Sequence, residues 1–135
     1  MKANGPSYDL SDLINACARN KSGVRAIKGA VISARKDFNL KTEREIVDFI
    51  GAGGLQTPKF KNTDTWQNNP DPPPPIIMVD AYTFSSGSIS GYIAFLFQKK
   101  TDKWIIKSFK LNSRRRFTAL AFRKALSGLK GDSDE

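Results

Sequence analysis

The segment IIMVDAYTFSSGSISGYIAFLFQKKTDKWIIKSFKL, residues 76–111, decides the fold class. It contains three runs rich in β-branched and aromatic residues, at 76–84, 89–97 and 104–111, and such runs are typical of β-strands. Small and polar residues at 85–88 and 99–102 separate the runs as turns. Because both connections are short, we predict an antiparallel meander of three strands, or of four if the residues around Phe60 join its edge.

The residues before this sheet show helical patterning. Within residues 9–50, apolar side chains recur every three or four residues in three successive stripes, which predicts three helices. Asp9 or Ser11 is a suitable cap for the first helix. Thr42 and Glu45 have the spacing of a capping box at the start of the third helix. Helices followed by a meander predict an α+β domain in which N-terminal helices pack on an antiparallel sheet.

Two further segments complete the predicted organisation of one domain over residues 1–135. Residues 51–75 are rich in glycine and proline and are predicted to form a long loop, in which the four prolines at 72–75 act as a stiff spacer. Residues 113–129 are predicted to form a basic C-terminal helix. Its apolar stripe consists of Phe122, Ala125, Leu126 and Leu129.

The positive charge of this chain is concentrated near its C-terminus. Between Lys99 and Lys130 there are eleven lysines and arginines and one acid, Asp102, whereas the rest of the chain sums to a net charge of −1. Such a local surplus is typical of a surface that binds phosphate groups, and it favours a nucleic acid as partner. The alternative is an ordinary solvated surface, although such surfaces usually interleave both signs of charge.

Histidine is absent and cysteine is scarce, although these residue types carry much of the acid–base and metal chemistry of proteins. The chain has no histidine, so it lacks the usual proton shuttle at neutral pH, and no metal or cofactor is expected. Its single cysteine, Cys17, lies on an apolar helix stripe and is predicted to be a reduced core residue. No stretch approaches the roughly twenty apolar residues of a membrane span. We therefore expect a cytoplasmic protein without a membrane span.

A series of short patterns, taken in order, resembles one protein family. The patterns are AVISA at 30–34, EIVDFI at 45–50, Lys61, WQ at 66–67, GY at 91–92 and IIKSFK at 105–110. Together they resemble the MqsR toxins, which are bacterial messenger-cleaving ribonucleases of the RelE-like (barnase/EndoU/colicin/RelE) superfamily. The resemblance implies an endoribonuclease toxin whose partners are RNA and an acidic inhibitor protein, either an antitoxin or an immunity protein.

The resemblance also implies how RNA is cut without a metal. Transfer of the phosphate to the 2′-hydroxyl needs a proton acceptor, a proton donor and positive charge near the phosphorane, and lysine, arginine and tyrosine can share these roles. By position, the family's catalytic residues fall on Lys61, with Lys59 as its rival, and on Gln67, Tyr92 and Lys110. Further RNA contacts are expected from Lys59, Lys107, Arg114, Arg115, Arg116 and Arg123.

Other functions remain open from the residues alone. A non-catalytic nucleic-acid-binding module that uses the basic C-terminal face explains the charge distribution equally well. A phage or plasmid-borne adaptor whose acidic partner covers the same face is another alternative. A further one is the catalytic end of a secreted polymorphic toxin, which would act in the cytoplasm of a target cell.

Overall fold

A five-stranded sheet and three helices make up the computed structural model, which describes residues 5–66 and 76–112. The helices are α1 (Leu10–Arg19), α2 (Lys28–Phe38) and α3 (Glu43–Gly51). The strands are β1 (Val24–Ala26), β2 (Gln56–Thr65), β3 (Met78–Ser86), β4 (Ile89–Gln98) and β5 (Lys103–Leu111). Their order in the sheet is β1-β5-β4-β3-β2. The predicted α+β class is confirmed, and the meander β3-β4-β5 lies where it was predicted.

The sheet has five strands, and the prediction of three or four is corrected. β1 lies inside the segment 9–50 predicted as helical, and it pairs in parallel with β5. With three residues it is too short to show an alternating pattern, so only its contact with β5 makes it a strand. β2 lies inside the predicted loop 51–75 and pairs antiparallel with β3 at the sheet edge, which confirms the alternative in which the residues around Phe60 join the sheet. It is an exposed edge strand, so its sequence is polar and only Phe60 packs on the core.

The helix starts follow from local hydrogen bonds. The side chain of Asp9 caps α1 by accepting from the Ser11 backbone N–H at 3.0 Å. The Thr42 hydroxyl accepts from the backbone N–H of Glu45 at 3.1 Å, as a capping box requires. The predicted reciprocal bond of the capping box is wrong in its donor, because the Glu45 carboxylate accepts from the backbone N–H of Lys41, at 2.8 Å, and not from that of Thr42. Both predicted helix starts are therefore confirmed.

The main core lies between the helices and the sheet. Its centre is an aromatic cluster in which the rings of Phe38, Phe49, Phe84 and Phe109 approach one another at 5.1–6.5 Å between centroids. Cys17 is buried in this core as a free cysteine, which confirms its predicted structural role. Burial raises the pKa of the Cys17 thiol to about 12, so the residue is an unreactive apolar side chain at neutral pH.

The chain before α1 is attached to the sheet through a buried acid. Asp80 on β3 has no exposed surface, and its two carboxyl oxygens accept the backbone N–H groups of Ser7 at 3.0 Å and Tyr8 at 2.8 Å. The Tyr8 hydroxyl donates to the Met78 carbonyl at 2.7 Å. These bonds attach Ser7 and Tyr8, just before α1, to the sheet.

The three described helices are too short or too polar to cross a membrane. Two predicted segments cannot be compared with this fold. The proline-rich part of the predicted loop, residues 67–75, and the predicted C-terminal helix, residues 113–129, lie outside the described residues.

Two helical glycines give a testable contrast in stability. A Cβ on Gly51 would lie 2.7 Å from the Cys17 carbonyl carbon and oxygen, so alanine there must push α1 away from α3. We expect Gly51→Ala to lower the free energy of unfolding by about 2–3 kcal/mol. Gly29 is exposed, and a Cβ there meets nothing within 4 Å.

Gly29→Ala is the matched control, and it should raise the free energy of unfolding by about 0.5–1 kcal/mol because alanine favours the helix. Urea unfolding followed by circular dichroism measures both changes. Equal effects of the two substitutions would contradict the close approach of α1 and α3 at Gly51.

Candidate nucleic-acid interface

The two faces of the sheet are covered differently. The main core contains residues from all three helices packed on one face. A second cluster on the other face consists of Val79, Ala81, Ala94 and Leu96. Only side chains from outside the described helices pack against it, among them Trp66, Ile77, Tyr92 and Ile105. We call this second face the open face, because none of the described helices packs on it.

A row of polar and aromatic side chains crosses the open face. Lys59 on β2 is opposite Thr83 on β3, Thr83 is opposite Tyr92 on β4, and Tyr92 is opposite Lys110 on β5. Thr83 and Tyr92 are each two residues from an alanine of the second cluster, at 81 and 94, so they share its face. We call Lys59, Thr83, Tyr92 and Lys110 the lysine-tyrosine row.

Tyr92 and Lys110 are in direct contact within this row. The Lys110 ammonium lies 5.3 Å from the centre of the Tyr92 ring, which is a cation–π geometry. Partial burial raises the pKa of the Tyr92 phenol, so the hydroxyl keeps its proton at neutral pH. Since this hydroxyl donates no hydrogen bond to a described residue, it is able to donate one to a ligand.

Ion pairs neutralise some of the cations in the helical part of the molecule, whereas others, such as Lys28 and Lys36, form none with a described acid. The three ion pairs between described residues are Lys21–Asp48 at 2.9 Å, Arg25–Glu43 at 3.0 Å and Arg44–Asp48 at 3.1 Å. Their cations line a cavity of about 250 Å³ between β1 and α3. Because each cation there has a carboxylate partner, this cavity is a poor site for an anion.

The lysines of β2 and β5 differ from these paired cations. Lys59, Lys61, Lys107 and Lys110 form no ion pair with any described acid. Asp64 is the one acid that the described strands place on the open face, since Asp80 lies on the helix side. The open face therefore carries positive charge that the described residues leave largely unneutralised, as a phosphate-binding surface requires.

Two β-bulges place lysines next to residues of this surface. On β2, Phe60 and Asn62 are opposite consecutive residues of β3, so Lys61 is the extra residue of a bulge. On β5, Ile106 and Ser108 are opposite consecutive residues of β4, so Lys107 is likewise an extra residue. Bulges are frequent next to functional sites, where they redirect a side chain.

The structure brings some of the predicted site residues together and separates others. Tyr92 and Lys110 are neighbours, and Lys59 lies in the same row. Lys61 does not converge with Lys110, because β3 and β4 separate their strands by three spacings, about 14 Å in total. The remaining predicted residues, Gln67, Arg114, Arg115, Arg116 and Arg123, lie outside the described residues.

Sequence reasoning missed Thr83 and treated Lys59 only as a rival of Lys61 or as an RNA contact. The sequence feature that could have located Thr83 is the tight turn at Gly87 and Ser88, in which Gly87 adopts a positive φ of 61°. A two-residue turn sets the hairpin register and so places Thr83 opposite Tyr92. For Lys59 there is no comparable local signal, since β2 and β3 are joined by a long connection.

Known proteins provide no independent guide to this site. Comparisons with protein-family models, with curated proteins and with solved structures found no match to this chain. Within the described residues, no group of three or more potential metal ligands was found. The geometry and charge of the open face are therefore the observations that bear on its function.

Proposed function

We propose that this protein binds RNA on the open face of its sheet. The observation that carries the proposal is the lysine-tyrosine row, which aligns two lysines, a hydroxyl and an aromatic ring across four neighbouring strands. Lysines that lack carboxylate partners attract phosphates, and the release of counterions drives this attraction. The Tyr92 ring offers a surface on which a base of an unpaired strand can stack.

Cleavage of the bound RNA is the second candidate function, and it is the activity that the MqsR resemblance implies. The observation that favours it is the Tyr92 hydroxyl, which retains its proton and lies beside the Lys110 ammonium. In this reaction the 2′-hydroxyl gives its proton to a water molecule as its oxygen attacks phosphorus, and the bond from phosphorus to the 5′-oxygen breaks. Tyr92 would protonate that oxygen while Lys110 stabilises the phosphorane.

The products of this reaction are a 2′,3′-cyclic phosphate and a 5′-hydroxyl. The lysine-tyrosine row contains no carboxylate to accept the proton of the 2′-hydroxyl, so binding is the better supported of the two functions. An acidic inhibitor protein, an antitoxin or immunity protein, is the partner that a toxic ribonuclease implies. It would compete with RNA for the same lysines.

Fluorescence anisotropy with a labelled single-stranded RNA tests binding, and the same RNA incubated with chelator tests cleavage. We expect binding that weakens as salt increases, and binding that is independent of salt, or absent, would contradict the proposal. If the second candidate is correct, the ends carry a 2′,3′-cyclic phosphate. Tyr92→Phe would then slow cleavage by about 10²–10⁴-fold while leaving affinity unchanged, because the ring remains and the proton donor is lost.

A further inference from the structure

We infer that the open face is a two-ended clamp, which holds one RNA strand running across the β-strands and binds it at both sheet edges. One end is the pair Lys59 and Lys61 on β2, and the other is the pair Lys107 and Lys110 on β5. The inference rests on the proposed RNA-binding function and specifies the length and path of the ligand.

Because side chains on strands stand roughly perpendicular to the sheet, the separation of the two ends favours separate phosphates over a shared one. β3 and β4 lie between β2 and β5, so the backbones that carry the two lysine pairs are about 14 Å apart. The Lys110 ammonium lies near the Tyr92 ring on β4, which is still two strand spacings, about 10 Å, from β2. A ligand that satisfies both ends is therefore expected to carry separate phosphates for each of them.

The bulges indicate that the two ends belong to one site. A cross-strand row of small and polar residues, Asn62, Ala81, Ala94 and Ser108, runs beside the lysine-tyrosine row. Lys61 immediately precedes Asn62, and Lys107 immediately precedes Ser108. Each bulge thus places a second lysine at an end of the row from Asn62 to Ser108. The two bulges occur on β2 and β5, which are not neighbours in the sheet.

The surface between the ends suits the middle of a strand. Thr83 on β3 and Tyr92 on β4 are only partly buried and lie between the two ends, beside Ala81 and Ala94, which are buried. The described residues place no carboxylate on this part of β3 and β4, so nothing there repels the backbone of the ligand. A base can stack on Tyr92 while the phosphates on either side reach the lysine pairs.

The spacing sets a minimum length for tight binding. A stacked strand advances about 3.4 Å per nucleotide, so a separation of about 14 Å corresponds to about four nucleotide steps. Oligomers shorter than this fill one end of the clamp, and longer ones fill both.

A length series of single-stranded uridine oligomers, from two to about eight nucleotides, tests the clamp by competition against a labelled RNA. We expect affinity to rise at least tenfold between about three and about five nucleotides, and then to increase only slowly. The variant Lys59→Gln/Lys61→Gln should lose this rise, and so should Lys107→Gln/Lys110→Gln, because each leaves only one end. The control Lys28→Gln/Lys36→Gln, on the exposed side of α2, should retain it.

The outcomes separate the clamp from the proposed function. Absence of binding at every length would overturn both. Two outcomes would overturn the clamp and leave RNA binding in place. In the first, salt-dependent affinity increases smoothly with oligomer length. In the second, the length threshold remains when one lysine pair is removed. Equal affinity for a duplex of the same length would also overturn it, because a duplex cannot stack an unpaired base on Tyr92.

Discussion

A variant in which Lys59, Lys61, Lys107 and Lys110 are all replaced by glutamine is expected to bind single-stranded RNA about 100-fold more weakly at moderate salt. Glutamine keeps much of the side-chain length and removes only the charge. None of the four lysines forms an ion pair with a described acid, so the substitutions leave no carboxylate unpaired there. The free energy of unfolding should therefore change by less than about 0.5 kcal/mol.

The salt dependence identifies the origin of this loss. Each phosphate contact to a single strand contributes about 0.7 to the slope of log affinity against log salt, so four lost contacts should reduce the slope by about 3. The control variant carries glutamine at Arg19, Lys28, Lys36 and Lys41, which are exposed residues of the helical part. It has the same net charge as the test variant.

Affinity and slope close to those of the unmodified protein are expected for the control. If the two variants lose affinity equally, RNA responds to the net charge of the protein and not to the open face. That result would contradict both the proposed binding site and the clamp, whereas a loss confined to the test variant supports the site.

Asp80→Asn is expected to lower the free energy of unfolding by about 2–3 kcal/mol. Each oxygen of the buried Asp80 carboxyl group accepts one backbone N–H, from Ser7 and from Tyr8. Asparagine fills the same volume but has one oxygen and one NH₂ group. One backbone N–H would then face another donor in a site without exposed surface.

This loss is a large fraction of the 5–15 kcal/mol that usually stabilises a domain. The matched control is Asp102→Asn, in an exposed turn where φ is 57°. Asparagine tolerates this left-handed conformation as well as aspartate does, so the control should change stability by less than about 0.5 kcal/mol. Urea unfolding measures both variants, and similar values for the two would show that Asp80 does not hold the N-terminal segment.

Hydrogen exchange provides a second readout for the Asp80 variant. The amides of Ser7 and Tyr8 should exchange faster in Asp80→Asn, whereas the amides in the centre of β4 should remain the most slowly exchanging and keep the same rank order relative to one another. Uniformly faster exchange would instead indicate a global loss of stability without local release of the segment.

The fold class could be predicted because the patterns that specify it are local. A helix needs apolar side chains three and four residues apart, and a hairpin needs two alternating runs and a short turn. Both conditions are met within short stretches of this chain, at residues 42–50 and 76–98 for example. The contact of Tyr92 with Lys110 is also nearly local, since one four-residue turn separates β4 from β5.

β1 escaped prediction, and β2 was predicted only as an alternative around Phe60, because the residues of these edge strands do not specify them. β1 has three residues and becomes a strand only by pairing with β5. β2 is polar and exposed, and its long connection to β3 leaves their register open at the sequence level. The position of Lys59 opposite Thr83, which completes the lysine-tyrosine row, depends on that register.

The sequence by itself determined that this protein is an α+β domain, that its positive charge is uneven, and that histidine chemistry is absent. Only the tertiary structure decided that the helices cover one face of the sheet, that Lys59 and Lys110 lie on the other, and that two strands separate Lys61 from Lys110. The physical reason is the separation along the chain of the residues that interact. Helices and hairpins form from neighbouring residues, whereas the choice of buried face and the pairing of distant strands depend on the packing of the whole domain.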